Sequence, residues 1–179
     1  LKNFFYNLKK INLKKFKSPK FDKSTDDRYK KRYWNNIKKK PEIVILEGWC
    51  IGARPQSNVL IKKPINLLEK KEDKNFIWRR YFNEKLKNEY KKIFSFIDHL
   101  IFIKIPNFDV VFKWRLLQEN KLRQKSYLKR KIMSYNEIKR FIMFYERITL
   151  QMIKDLSRSA SIVMFLKKNH EVKKLFFKV

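Results

Sequence analysis

Glu47 stands where an apolar run ends, which is a costly place for a charge unless a ligand uses it. The run PEIVIL before it is rich in β-branched residues and predicts a short strand that is buried on both faces of a parallel sheet. At the carboxyl end of such a strand, a carboxylate can hold Mg²⁺ directly or through water. Gly48 lets the chain turn away sharply and leaves room for a ligand. The alternative is a surface glutamate at a junction between strand and loop.

A second group of charged residues lies in the short loop FDKSTDDR. Asp22, Lys23, Asp26 and Arg28 place both signs of charge within one turn, which suits hydrogen bonding to a polar substrate. Loops of this composition are also ordinary turns, so both interpretations stay open.

A third group of charged residues lies on a strongly basic amphipathic segment that begins at Asp109. Arg115, Lys121 and Arg123 lie within about four turns of this predicted helix. Cations on a mobile helical flap can clamp phosphates during group transfer. A solvated helix face would carry the same residues, so this alternative is kept.

The elements that must position these groups alternate between helix and strand. Apolar residues at helical spacing predict helices over residues 1–16, 65–97, 109–132 and 133–156, the last with a capping signature of Ser134 and Glu137. Short apolar runs predict buried strands over residues 41–48, 98–105 and 161–167. Residues 55–64 are predicted to form a loop, and a basic tail follows the last strand. Strands that alternate with helices indicate an α/β fold with a parallel sheet in one domain.

The composition limits the classes of function. The chain has 179 residues and a net charge of +29, with lysine spread over the whole length, which is typical of a generally basic solvated surface. Nucleic acid, anionic small molecules and membrane surfaces are the other interpretations of that charge. Cys50 is the single cysteine, and His99 and His170 lack metal-ligand spacing, so neither a disulfide framework nor a zinc cluster is expected. The sequence has no apolar run long enough to span a membrane, and a cytoplasmic location is expected.

Several strings taken together resemble the bacterial D-glycerate 3-kinase-like family of P-loop kinases. This family is similar to the phosphoribulokinase, uridine kinase and pantothenate kinase group. The resemblance runs from about Leu8 to about Leu166, and its specificity lies in the order and spacing of the strings. They are PKFDKSTDDR, VILEGWCIGARPQ, INLLEKKEDKNFIWRRYFNEKL, FDVVFKWRLLQENKLR and MSYNEIKRFIMFYERIT.

The resemblance implies a fold and an activity. The fold would be a three-layer P-loop sheet flanked by helices, incomplete at its N-terminus. The activity would be transfer of the γ-phosphoryl group of ATP, with Mg²⁺, to a hydroxyl of D-glycerate or a similar hydroxy acid. Neither a nucleic-acid partner nor a membrane partner is expected.

The resemblance also implies residue roles. Glu47 matches the glutamate that ends the Walker B strand and serves the metal. Arg115 and Arg123 match the arginines of the lid that closes over the phosphates. The string that contains Arg147 matches a family string whose role is structural. The substrate-side loop is matched by Asp22, Lys23, Asp26 and Arg28.

One departure from the family concerns the nucleotide site. The chain has two glycines, Gly48 and Gly52, and neither begins or completes the phosphate-binding pattern G-x-x-x-x-G-K-[ST]. The aspartate of a DDFY-like string, the expected base, is also not found. Since the chain begins at Leu1, we expect it to be the C-terminal part of a kinase and inactive alone. The rival hypothesis is a basic module that has lost the phosphate-binding loop and binds nucleic acid or acidic partners.

Overall fold

The computed structural model describes residues 2–9, 16–22, 25–125 and 132–178. The chain divides into two compact units, Leu1–Gly48 and Trp49–Val179. Each unit is described by itself.

The first unit consists of one helix and two small antiparallel strand pairs. Helix α1, Lys2–Lys9, confirms the first part of the predicted N-terminal helix, and residues 10–15 lie outside the described ranges. Phe4 of α1 contacts Phe16 edge to face at 5.7 Å. The strands are β1 Phe16–Ser18, β2 Phe21–Asp22, β3 Asp27–Arg28 and β4 Asn35–Ile37, with β1 pairing with β4 and β2 with β3.

The predicted buried strand over residues 41–48 is wrong for this chain. Residues 43–48 have no regular secondary structure, and Ile43 and Ile45 are 79% and 86% exposed. The run has the composition of a strand, but a strand is stable only when its backbone groups pair and its side chains are covered. Within the described ranges no segment pairs with residues 43–47, so Glu47 does not follow a strand.

The second unit contains a three-stranded sheet with the order β5-β6-β7. Strands β5, Ile101–Lys104, and β6, Ile162–Leu166, pair in parallel and confirm the second and third predicted strands. The predicted basic tail is instead strand β7, Val172–Phe177, which pairs with β6 in antiparallel register. A tight turn allows this pairing, since the Lys167 N–H donates to the Glu171 carbonyl at 2.8 Å. The sheet is therefore mixed, and the expectation of a purely parallel sheet is corrected.

The described part of the second unit also contains six helices and a π-helical turn. The helices are α2 Asn58–Lys62, α3 Leu67–Glu72, α4 Ile77–Lys85, α5 Lys91–Phe94, α6 Asp109–Lys125 and α7 Tyr135–Ser159, and the π turn is Leu86–Tyr90. The capping box of Ser134 and Glu137 begins α7 as predicted. Helix α2 lies in the segment predicted as a loop, because the Ser57 side chain accepts a hydrogen bond from the Leu60 N–H and caps it. The predicted helix over 109–132 is confirmed to residue 125, and residues 126–131 lie outside the description.

Helix α7 forms the core of the second unit by packing on one face of the sheet. Met152 and Leu156 of α7 pack with Phe102 of β5 and Val163 of β6. Gly52 lies against this core, because a Cβ atom at its φ of +80° would come within 2.7 Å of a Leu100 methyl group. Of the helices described, none is both long enough and apolar enough to cross a bilayer.

Candidate functional site

The predicted substrate loop forms the β2-β3 hairpin of the first unit. Asp22 pairs in register with Asp27, and the Arg28 N–H donates to the Asp27 Oδ1 at 2.6 Å. Asp26 lies at the turn with a φ of 54°, in the left-handed region that aspartate tolerates. A hydrogen bond to Asp22 raises the pKa of the Tyr29 hydroxyl above its ordinary value. Asp26 and Arg28 are exposed and can reach a polar molecule, and Lys23 lies outside the described residues.

Glu47 is exposed in an irregular segment of the first unit. The described ranges contain no group of three or more His, Cys, Asp or Glu side chains that could hold a metal ion by themselves. A single carboxylate can still serve Mg²⁺ that arrives with nucleotide phosphates, since that ion keeps several waters and commonly takes one or two protein carboxylates. The donor set therefore fits a metal shared with a substrate and does not fit a closed protein cage.

Arg115 lies in the first half of α6 and is held by neighbours on the same helix. Its Nη2 atom lies 2.5 Å from the Glu119 Oε1, and its Nη1 atom donates to the Gln118 side chain at 2.7 Å. Glu119 is only 2% exposed, and its other oxygen accepts the Met133 N–H at 3.1 Å. The guanidinium also lies over the Phe141 ring at 5.1 Å. These contacts fix one orientation of Arg115 while 27% of its side chain stays exposed.

A groove of about 560 Å³ lies beside Arg115, and we call it the Trp114 groove. The Trp114 ring stacks on His170 at 4.2 Å, and the Trp114 indole N–H donates to the Lys168 carbonyl at 2.8 Å. Arg115 and Lys121 line the same groove, so the structure brings two of the predicted cations together. Arg123 lies about two turns after Arg115 on α6, is exposed, and does not line the Trp114 groove.

A second space, of about 390 Å³, is lined by residues of β5, α6 and α7 and shares Arg115 with the Trp114 groove. We call it the Trp49 cavity. The Trp49 indole N–H donates to the Thr149 hydroxyl at 3.0 Å, and its ring meets Tyr145 edge to face at 4.8 Å. The lining residues are Trp49, Phe102, Ile103, Ile105, Val111, Trp114, Arg115, Phe141, Ile142, Tyr145, Thr149, Met152 and Ile153.

A buried ionic cluster, the Glu69 network, was missed by the sequence analysis. Arg147 binds the Glu69 carboxylate through two hydrogen bonds of 2.7 and 2.6 Å, and Arg79 donates to the same carboxylate at 3.1 Å. Burial favours the neutral acid, but the hydrogen bonds from Arg147 and the Ile65 N–H, with the positive charge of Arg147, hold the pKa of the Glu69 carboxyl below its ordinary value. Asp73 completes the network through an ion pair of 3.2 Å with Arg79.

The Glu69 network also holds the segment of residues 56–63 in place. Arg147 also donates to the carbonyl groups of Leu60 and Lys63 and to the Gln56 side chain. The Asn83 side chain accepts the Gln56 N–H at 2.7 Å and donates to the Gln56 carbonyl at 3.0 Å. Arg147 therefore has the structural role that the resemblance implied, and the only signal for Glu69 in the sequence was its place in one of the quoted strings.

Comparisons with known proteins show which proteins this chain is similar to. No family model matches the chain. It is similar to an uncharacterized kinase, mug58, of Schizosaccharomyces pombe, with 29% identity over 133 residues that cover 71% of this chain and 46% of that protein. It is also similar to the chloroplastic D-glycerate 3-kinase of Arabidopsis thaliana, with 27% identity over 114 residues that cover 62% of this chain and 23% of that enzyme. The chain thus spans less than half the length of these curated relatives.

A solved structure shares the fold. The D-glycerate 3-kinase from Cryptococcus neoformans superposes with a TM-score of 0.73 and 21% identity, over 97% of this chain and 64% of that one. This likeness shows an α/β architecture in common with that kinase.

Proposed function

Because these relatives confirm the resemblance of the chain to D-glycerate 3-kinases, we propose that the complete protein containing it is an ATP-dependent phosphotransferase. The reaction transfers the γ-phosphoryl group of ATP to a hydroxyl of D-glycerate or a similar hydroxy acid. The observation that carries this proposal is the 27% identity over 114 residues to a D-glycerate 3-kinase. The shared α/β fold is consistent with it.

Arg115 and Lys121 are the cations that we assign to the phosphate side of the reaction. They line the Trp114 groove together, and positive charge fixed before the reaction stabilises charge that develops on transferred phosphate oxygens. The contacts of Arg115 with Glu119 and Gln118 orient it, which reduces the cost of positioning it during catalysis. Arg123 is exposed and would contact phosphates only if α6 moves toward them.

Glu47 and the β2-β3 hairpin take the remaining roles in the proposal. Glu47 would serve Mg²⁺ bound with the nucleotide, and that metal would supply charge neutralisation at the phosphates. Asp22, Lys23, Asp26 and Arg28 would bind the acceptor by hydrogen bonds and ion pairs. The phosphate-binding loop and the catalytic base would lie elsewhere in a complete three-layer P-loop fold, so we expect this chain alone to be inactive.

The test of the metal role is Glu47→Gln in the complete protein, measured as D-glycerate-dependent release of ADP. We expect kcat to fall about 100-fold or more, because the loss of one electrostatic contact that stabilises developing charge costs about that much in other enzymes. Glu42→Gln is the matched control, since Glu42 is an exposed carboxylate five residues earlier and should leave turnover unchanged. Equal turnover in both variants would contradict the role of Glu47.

A parallel test compares Arg115→Ala with Arg140→Ala. Arg140 forms an exposed ion pair with Glu72 on a different helix, so it controls for the loss of one arginine. We expect Arg115→Ala to lower kcat strongly, Arg123→Ala to lower it less, and Arg140→Ala to leave it unchanged. Circular dichroism of each variant shows whether the fold persists.

The rival proposal, a basic module that binds nucleic acid, is favoured by the net charge of +29. It is tested by titrating a DNA duplex at several salt concentrations. Binding through phosphate contacts should weaken steeply as salt rises. Absence of binding near physiological salt, together with kinase activity, would leave phosphotransfer as the function.

A further inference from the structure

Apart from Arg115, the lining residues of the Trp49 cavity have no role in the proposed phosphotransfer, yet the cavity has the properties of a ligand site. Its volume of about 390 Å³ lies within the usual range for small-molecule sites, about 300–1,000 Å³. Of its lining residues that the structure describes, Arg115 alone carries a charge. A mainly apolar wall with one well-placed polar group is the usual composition of such a site.

Two of the polar groups around the Trp49 cavity already have hydrogen-bond partners within the protein. The Trp49 indole donates to Thr149, and the Trp114 indole donates to Lys168 outside the cavity. A polyhydroxylated molecule such as D-glycerate would find few partners there besides the Tyr145 hydroxyl and Arg115, and burying its remaining hydroxyl groups would be unfavourable. An apolar ring or branched chain suits the wall far better.

The aromatic wall is held in place before any ligand arrives. Tyr145 contacts both Trp49, at 4.8 Å, and Phe141, at 4.9 Å. Phe141, Tyr145 and Thr149 lie on α7, whose other side packs on the core. A preformed wall lowers the entropic cost of binding.

Arg115 determines the polar end of the ligand. Glu119 and Gln118 each bind one of its terminal nitrogens, its buried Nε–H has no hydrogen-bond partner among the described residues, and 27% of the whole side chain stays exposed. A carboxylate forms strong charge-assisted hydrogen bonds with a guanidinium. The positive field of the whole chain also favours an anion.

We propose that the Trp49 cavity binds a small monocarboxylate with an aromatic or branched aliphatic body. The apolar body lies against Trp49, Phe141 and Tyr145, and the carboxylate contacts Arg115. The site shares Arg115 with the phosphotransfer proposed above, but binding there requires neither ATP nor a hydroxyl on the ligand.

The experiment is isothermal titration calorimetry of the complete protein with 3-phenylpropionate as the probe. Two comparison molecules are 3-phenyl-1-propanol, which lacks the carboxylate, and D-glycerate, which lacks the ring. We expect saturable binding of 3-phenylpropionate, and at least about tenfold weaker binding of the alcohol, from loss of one charge-assisted contact. Binding of D-glycerate should not compete with the probe.

Two variants assign the binding to this cavity. Ile153→Phe fills the cavity and should abolish probe binding, and the melting temperature shows whether it remains folded. Arg115→Gln should weaken 3-phenylpropionate about tenfold or more and change the alcohol little, whereas Arg140→Gln should change neither. If Ile153→Phe unfolds, the comparison of Arg115→Gln with Arg140→Gln still tests whether the probe binds in this cavity.

Three outcomes would overturn the proposal. No saturable binding of the probe would mean that the cavity is closed or filled by another part of the complete protein. Binding unchanged in both Ile153→Phe and Arg115→Gln would place the ligand elsewhere. Competition by D-glycerate at equal affinity would show that the ligand class is wrong.

Discussion

The two compact units of the chain differ in how firmly they hold the residues that the sequence assigns to function. In the first unit Asp26, Arg28 and Glu47 are all exposed, and Leu8 is the buried hydrophobic side chain among its described residues. In the second unit Arg115 is oriented by the buried carboxylate of Glu119 and by the Phe141 ring.

This difference separates two kinds of functional residue. A side chain held by buried partners already has the orientation in which it can act, and its geometry can be interpreted directly. An exposed side chain on a hairpin or an irregular segment gains a defined geometry only when a ligand or further protein structure contacts it. Arg115 is therefore the residue whose observed geometry supports its role directly, whereas the assignment of Glu47 depends mainly on the family resemblance.

The largest expected effect on stability comes from breaking the Glu69 network by Glu69→Gln. Two buried guanidinium groups would lose their shared carboxylate, and loss of one partner from a buried ionic cluster costs about 3–5 kcal/mol. The measurement is the free energy of unfolding of the chain in urea. Glu72→Gln is the matched control, because its ion pair with Arg140 is half exposed and worth about 0–1 kcal/mol. Similar losses in the two variants would mean that the network does not stabilise the second unit.

Lowering the pH is expected to reduce the free energy of unfolding by an intermediate amount, again through Glu69. Its folded-state pKa lies below the ordinary glutamate value of 4.5, so its stabilising contribution is complete above that value. As the pH falls below 4.5, the unfolded state binds a proton at Glu69 before the folded state does. The contribution of Glu69 is therefore lost progressively until the pH has fallen through the lowered folded-state pKa.

The check is to measure the unfolding free energy of wild type and Glu69→Gln from pH 7 to pH 3. The difference between the two proteins should be constant at the upper end and shrink toward acid. A difference that stays constant down to the lowest pH would show that the pKa of Glu69 is not lowered by folding.

The sequence predicted those elements of the second unit whose signals are local. Strands β5 and β6 are short apolar runs, and α7 combines helical periodicity with the capping box of Ser134 and Glu137. Strand β7 was missed because a tail of mixed lysine and apolar residues becomes a strand only when a turn returns the chain to β6. Its stability is a tertiary property, which composition does not reveal.

The sequence predicted the candidate site less completely than the fold. It identified Arg115 and Lys121 as cations of one helix, and the structure adds Trp114 and His170 beside them in one groove. His170 is 56 residues from Trp114 along the chain, so no local spacing joins them. Glu69 and Arg147 are likewise 78 residues apart, and a buried pair at that distance leaves no periodic signal.

The smallest expected effect tests the strand prediction that was wrong. Ile45→Ala in this chain should change the free energy of unfolding by less than about 0.5 kcal/mol, because Ile45 is 86% exposed and has no strand partner within the described ranges. The matched substitution Ile148→Ala, in the core of the second unit, should cost about 2–5 kcal/mol.

The free energy of unfolding of the same two variants can also be measured in the complete protein. If further structure covers residues 43–47 there, Ile45→Ala becomes destabilising by an amount that approaches the cost of Ile148→Ala. The carboxylate of Glu47 would then stand at the end of a buried strand, where its position is fixed. An unchanged small effect would leave Glu47 on an exposed segment in the complete protein too, and the metal role would then require that the ligand itself orders it.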